Sequence, residues 1–197
     1  MKTILGFDVS STTTAYAALN WDEITNNITL IKVGYIKPIK EGLIIDRIAS
    51  TRDQIKQIIN DIKPDYIALE DIIAFMKGSS TANTVIMLTS FNRMIGLTSY
   101  DYLGRSPELF NVMTIRHGLK FGKILPSKQD MPELVAKHLN IKFPYEYNKN
   151  GKQIIENEDK ADAMSVALYY TYLLSGKIIR KIKKPKLKKS TKKVKKK

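Results

Sequence analysis

The sequence predicts an α/β fold built on a mixed sheet, with three antiparallel strands followed by parallel ones. Three observations carry this. Residues 1–39 hold three apolar runs separated by short polar connections, the spacing of a meander. Residues 43–62 change to a helical period. A compact apolar strand follows that helix at once, and a right-handed crossover lays it parallel to the first strand.

The elements follow in chain order. Ile4, Leu5, Phe7 and Val9 form the first strand, interrupted by one carboxylate, Asp8. Ser10, Ser11 and Thr12 supply turn chemistry, and Thr13 to Leu19 return as the second strand. Ile28 to Ile39 alternate loosely and end near Pro38, giving a third strand. Between Leu43 and Ile62, the residues Ile44, Ile45, Ile48, Ile55, Ile58, Ile59 and Ile62 share one helical face, which Lys63-Pro64 terminates. Tyr66 to Leu69 is the crossover strand, with Glu70 and Asp71 at its carboxyl end. A loop through Phe75, Met76 and Lys77 leads to a helix from Ala82 to Tyr100. Leu109 to Met113 reads as a further strand, Thr114 to Gly122 as a basic turn, and Lys128 to Leu139 as a helix. Residues 140–157 are polar and aromatic, a loop with disordered parts. Glu158 to Leu174 is a strong helix with Ala161, Met164, Ala167, Leu168 and Tyr172 directed inward.

Composition bounds the class. A chain of 197 residues with 43% hydrophobic and 26% charged residues suits one soluble domain. Without cysteine there are no disulfides and no thiolate metal sites. The absence of any membrane-length apolar run or signal-peptide pattern points to a soluble, intracellular protein with no membrane partner. The net charge of +14 is unevenly placed: thirteen of the 33 basic residues and none of the 19 acids follow Gly176. That leaves 20 basic against 19 acidic residues in 1–176, a nearly neutral domain, and a disordered Lys-rich tail over 177–197. The tail, with Lys183, Lys184, Lys188 and Lys189, is open to several readings: a solvated segment, a localisation signal, a membrane-surface binder, or a phosphate binder in which each neutralised phosphate releases a counterion.

Four acids stand out. Asp8 lies in an apolar strand, Glu70 ends another, and Asp159 and Asp162 share a face at a helix start. Any one of them has an ordinary explanation: a turn-capping Asp, an exposed loop acid, or first-turn acids opposing the helix dipole. In an α/β sheet, though, Asp8 and Glu70 share the carboxyl end, where functional sites gather. Clustered acids require a cation, and all-oxygen ligands select Mg²⁺ or Mn²⁺ over Zn²⁺. Two such ions are a known clamp for in-line phosphoryl displacement. Cysteine nucleophiles are excluded, and of the two histidines, His117 and His138, the latter reads as structural or exposed.

These residues resemble a known family, the RuvC-type Holliday junction resolvases of the RNase H-like superfamily. Gly6-Phe7-Asp8-Val9-Ser10 with Thr13-Thr14-Ala15-Tyr16 is similar to the family's first motif, with Ala15 in place of its usual glycine. Leu69-Glu70-Asp71 and the following Phe75-Met76-Lys77 resemble its second acidic motif and aromatic loop. Asp159-Lys-Ala-Asp162-Ala resembles its closing acidic helix. The stretch from Arg116 to Lys123, followed by Lys128, resembles its DNA-contacting segment. The resemblance implies an RNase H-like, mixed five-stranded sheet flanked by helices. It also implies a homodimer acting on four-way DNA junctions by paired, symmetric, Mg²⁺-dependent nicks, in recombination, repair or viral genome processing. Asp8, Glu70, Asp159 and Asp162 would be the catalytic and metal-holding residues. Phe75, Lys77, Arg116, Lys120, Lys123 and Lys128 would meet DNA, Phe75 by stacking near the crossover. Rival readings are an ATP-using actin-like or sugar-kinase domain, a junction-binding protein without activity, and a plain RNase H.

Overall fold

A computed structural model describes residues 1–10, 12–72 and 81–180. Phe75, Lys77 and the tail lysines Lys183, Lys184, Lys188 and Lys189 lie outside the described residues. The strands are β1 (Lys2–Val9), β2 (Thr14–Trp21), β3 (Ile28–Ile36), β4 (Tyr66–Glu70) and β5 (Glu108–Phe110). The helices are α1 (Ile44–Ile62), α2 (Ala82–Leu103), α3 (Val112–Leu119), α4 (Met131–Leu139) and α5 (Glu156–Leu174).

The sheet order is β3-β2-β1-β4-β5. β1, β2 and β3 pair antiparallel, and β4 joins β1 in parallel after the α1 crossover, as the sequence predicts. β5 then extends the sheet parallel to β4. The strand alternation divides the core in two. Leu5, Phe7, Val9, Ile67 and Leu69 face the α1–α2 layer, where Ile55, Ile59, Phe91 and Ile95 are buried with them. Ile4, Ala15, Ala17 and Ala68 face α5.

α5 is buried on nearly every side, because α3 and α4 cover the face that the sheet leaves free. It approaches the sheet very closely at one point. A Cβ built on Gly6 would lie 2.6 Å from both the Ala163 carbonyl oxygen and the Ala167 amide nitrogen. Glycine inside an apolar strand marks such a close approach, and Ala163 and Ala167 complete the small-residue contact.

Several boundaries differ from the sequence reading. β3 ends at Ile36 rather than Ile39, α2 runs on to Leu103, and α5 starts two residues early, at Glu156. The predicted strand over 109–113 ends at Phe110, and the predicted basic turn is α3. Asn111 caps this helix by accepting the Met113 N–H. Gly118 suggested a turn, yet it is required inside the helix, since a Cβ there would meet the Tyr169 ring at 2.4 Å. α4 begins only at Met131, after a turn in which Asp130 accepts hydrogen bonds from the Ser127 N–H and Oγ. The 140–157 segment is an ordered strap rather than a loose loop, with Tyr147 bridged to Gln153. Lys177 to Arg180, assigned by sequence to the tail, dock on the fold. The Ile178 N–H bonds the Tyr172 carbonyl, Lys177 lies over the Tyr172 ring, and Arg180 pairs with Glu108.

Candidate active site

The register brings the acids together. Phe7 pairs with Leu69 across the parallel strands, so the next residues, Asp8 and Glu70, sit side by side at the carboxyl end of the sheet. Both alternate onto the face occupied by α5, as Gly6 and Ala68 do. Because Gly6 lets α5 settle against β1, the first turns of that helix carry Asp159 and Asp162 to the same end. Asn92 of α2 fixes the end of β4 from the other layer by donating to the Glu70 carbonyl at 2.9 Å.

Two cations enter the cluster. The Lys128 Nζ lies 2.9 Å from Asp159 Oδ1 and 3.7 Å from Asp162 Oδ2. A guanidinium nitrogen of Arg116, on α3, stands 3.8 Å from Asp162 Oδ1. The Nε of Arg116 is buried without a hydrogen-bond partner among the described residues, so this guanidinium keeps an unused donor. The sequence assigned Arg116 and Lys128 to DNA, and the structure sets both against carboxylates. Lys120 and Lys123 lie on the connection between α3 and α4, where the Lys120 Nζ donates to the Lys123 carbonyl. His138 is structural, as its helix position suggested: its ring nitrogens bond the Tyr172 hydroxyl and the Leu119 carbonyl.

The charges within the cluster do not balance. Asp8 is held well above the usual carboxylate range by burial, then by the charges of Glu70, Asp162 and Asp159. Burial and the Asp162 charge push Glu70 up to about 7, against the pull of Arg116 and Lys128. Asp162 rises to about 6, chiefly through burial, although Lys128 and Arg116 oppose the rise. Burial works against the Lys128 ammonium, but its hydrogen bond to Asp159 and the surrounding carboxylates hold it at about 12. Four acids against two bases leave an excess of negative charge in a poorly hydrated site.

The donor chemistry fits hard divalent cations: oxygen ligands only, carboxylates that destabilise one another, and no thiol or imidazole among them. Among the described residues no three acidic or histidine side chains converge closely enough to enclose an ion as placed, and the Lys128 ammonium stands between two of them instead.

Residues 4–170 match the family of the crossover junction endodeoxyribonuclease RuvC. The chain belongs to the RuvC family. A Fusobacterium nucleatum crossover junction endodeoxyribonuclease RuvC is 22% identical over 181 residues, covering 89% of this chain and 83% of its own. The RuvC of Finegoldia magna is 27% identical over 148 residues, 68% of this chain and 88% of its own. Among solved structures, Thermus thermophilus RuvC in complex with a Holliday junction superposes with a TM-score of 0.68 at 14% identity, covering 88% of this chain and 96% of that one. The yeast mitochondrial Holliday junction resolvase gives a TM-score of 0.64 at 14% identity, covering 88% and 80%. These likenesses establish an RNase H-like RuvC fold, and family membership makes the chain one of the crossover junction endodeoxyribonucleases. The actin-like and sugar-kinase reading finds no support.

Sequence reasoning missed three features of the site. Gly6 was quoted as part of a motif without its packing role, though a lone glycine in an apolar strand was the available signal. The likeness of Arg116 and Lys128 to a DNA-contacting segment gives no sign of their pairing with the acids, which depends on how α3 and the 120–130 connection fold back. Lys160 of α5 is 1% exposed, and the sequence carries no signal of this, since lysine in a helix ordinarily faces water.

Proposed function

We propose that this RuvC-family chain resolves four-way DNA junctions by paired nicks, using divalent cations held by Asp8, Glu70, Asp159 and Asp162. The observation that carries the reading is the convergence of these acids from β1, β4 and α5 at one end of the sheet. Mg²⁺, with Mn²⁺ as a substitute, is the expected ion, and a pair of ions would supply Lewis acidity and a water of lowered pKa. The chain's own residues do the rest. Divalent cations there would need these carboxylates ionised and Lys128 moved off Asp159 and Asp162, which would free its ammonium for the phosphate. Arg116, set beside Asp162, steadies that carboxylate from the α3 side. Lys120 and Lys123 contact the backbone nearby, and Phe75 and Lys77 belong to the loop expected at the crossover.

Paired nicks require two sites, and α2 offers the means of dimerisation. Ile86, Leu97 and Tyr100 are exposed along it. Gly96 lies beside them, and among the described residues nothing comes within 4 Å of where its Cβ would be. A helix-interior glycine costs about 1 kcal/mol relative to alanine, and no described residue requires it. A second copy packed closely on this stripe would. Among the described residues no helix is long and apolar enough to cross a membrane, and the expected setting is DNA-associated.

The deciding experiment is a nicking assay with Mg²⁺ on a four-way junction, a linear duplex and an RNA–DNA hybrid. Symmetric cleavage of the junction is expected, lost in Asp8→Asn and in excess chelator while junction binding persists. Equal cleavage of the duplex or the hybrid would make the chain a general nuclease instead.

A further inference from the structure

The start of α5 is unusual for a helix that must hold two functional acids in place. Ile155 stands at the N-cap and supplies no side-chain hydrogen bond, where Ser, Thr, Asp or Asn would normally serve. The Asn157 and Glu158 N–H groups bond the Ile154 and Ile155 carbonyls, so backbone alone closes the first turn, and Asp159 is only the fourth residue of the helix.

The strap provides the missing restraint, and a buried lysine is its anchor. Lys160 is 1% exposed. Its Nζ donates to the Pro144 carbonyl at 2.8 Å and to Glu146 Oε1 at 3.0 Å, and it lies 5.9 Å from the centre of the Phe143 ring. One turn earlier, Asn157 grips the same strap residue from both sides. It accepts the Glu146 N–H at 3.0 Å and donates to the Glu146 carbonyl at 2.8 Å. The far side of the strap is tied to α4 through the Tyr145 hydroxyl and Glu133. A methionine could fill the volume of Lys160 without desolvating a charge. Buried ion pairs are weak contributors to stability, and their best-attested use is to specify one arrangement among several.

We infer that Lys160 is the positioning residue for Asp159: by clamping strap residues 143–146 to the uncapped first turns of α5, it sets the carboxylate beside it for the metal. This inference rests on the reading of Asp159 as a metal-holding acid. Successive helical residues point about 100° apart, so Lys160 can grip the strap while Asp159 faces the cluster.

The test uses the full chain as wild type, Lys160→Met and Asp159→Asn. Hydrogen exchange over 143–159, Mn²⁺ binding by calorimetry, junction affinity in Ca²⁺, and single-turnover cleavage against Mg²⁺ concentration are measured together. For Lys160→Met, exchange should accelerate over 143–159 and not over 164–174, and Mn²⁺ affinity should fall several-fold. Its cleavage rate should fall at least tenfold at low Mg²⁺ and recover substantially at high Mg²⁺, with junction affinity within twofold of wild type. Asp159→Asn should lose cleavage without recovery. A Lys160→Met protein with faster strap exchange but unchanged Mn²⁺ affinity and Mg²⁺ midpoint overturns the inference. If Asp159→Asn instead cleaves normally, the reading of the site itself fails. Should Lys160→Met not fold, Glu146→Ala removes one of the two hydrogen-bond partners of Lys160 at a half-exposed position. A two- to threefold rise in its Mg²⁺ midpoint supports the inference, and an unchanged midpoint overturns it.

Discussion

Gly6 and Asp8 sit two residues apart on the same strand face, and the first determines what the second can do. A methyl group at Gly6 would overlap the backbone of Ala163 and Ala167, which cannot move aside as a flexible side chain could. Gly6→Ala should therefore push α5 away from β1, costing about 1–3 kcal/mol by the measure of other overpacked cores. Denaturant unfolding would give the loss. Cleavage should fall much further than stability, because Asp159 and Asp162 move with the helix, and junction binding should change little. Normal cleavage in this variant would mean that the acids on α5 are not required to meet Asp8.

The acids themselves predict a pH dependence. Folded Glu70 and Asp162 titrate near 7 and near 6, and Asp8 is raised as well, against about 4 in an unfolded chain. Without metal, the folded state then binds more protons than the unfolded state between these limits. Linkage makes its stability fall as pH rises through that window. Melting of the metal-free protein should occur at lower temperature at pH 7.5 than at pH 5. Asp22, Asp130 and Glu156, whose pKa values are lowered, act below this range, and His138, lowered by burial, opposes the trend within it as one group against three raised acids. Added Mg²⁺ or Glu70→Gln should flatten the curve, and a melting temperature that climbs steadily from pH 5 to 7.5 would contradict the charge imbalance.

Among the elements, those with one clear period were legible. β1, β2, β4 and α1 fall where the apolar spacing puts them, because each buries one face and that face dictates the pattern. α3 was not, since it is only eight residues long and contains Gly118, a residue that local reading treats as a break. The reason for that glycine lies in the Tyr169 ring, more than fifty residues away in sequence, where local spacing cannot see it. The acids were legible by position, but their pairing with Lys128 and Arg116 was not, since it depends on tertiary return. α2 carries its own prediction. Leu97 is 64% exposed, so Leu97→Asp should leave the fold intact. If the α2 stripe is the dimer seam, the variant should sediment as a monomer and yield unpaired single nicks. A stable dimer would move the interface elsewhere.

At the scale of the molecule, charge and fold are separable. Residues 1–176 are nearly neutral, and thirteen basic residues follow. Lys177 to Arg180 are docked, so the deletion that separates the two begins at Lys181. Removing residues 181–197 should weaken binding to all nucleic acids by a similar factor. The salt dependence of duplex binding should flatten by about 0.9 in slope for each phosphate that is no longer neutralised. Junction preference and metal requirement should survive, and disappearance of that preference would make the segment part of shape recognition. A salt titration of both forms on junction and duplex measures each effect.

The seat of α5 against β1 also bears on the order in which a ribosome makes this molecule. Asp8 is synthesised well before Asp159 and Asp162, and the close packing of strand on helix at Gly6 cannot form until α5 has been made. A nascent chain stopped anywhere before residue 156 can pair β1, β2, β3 and β4, yet it lacks half of the carboxylates and the helix that closes the sheet. On the role proposed for these acids, a chain interrupted before α5 has no cutting centre to carry to the DNA.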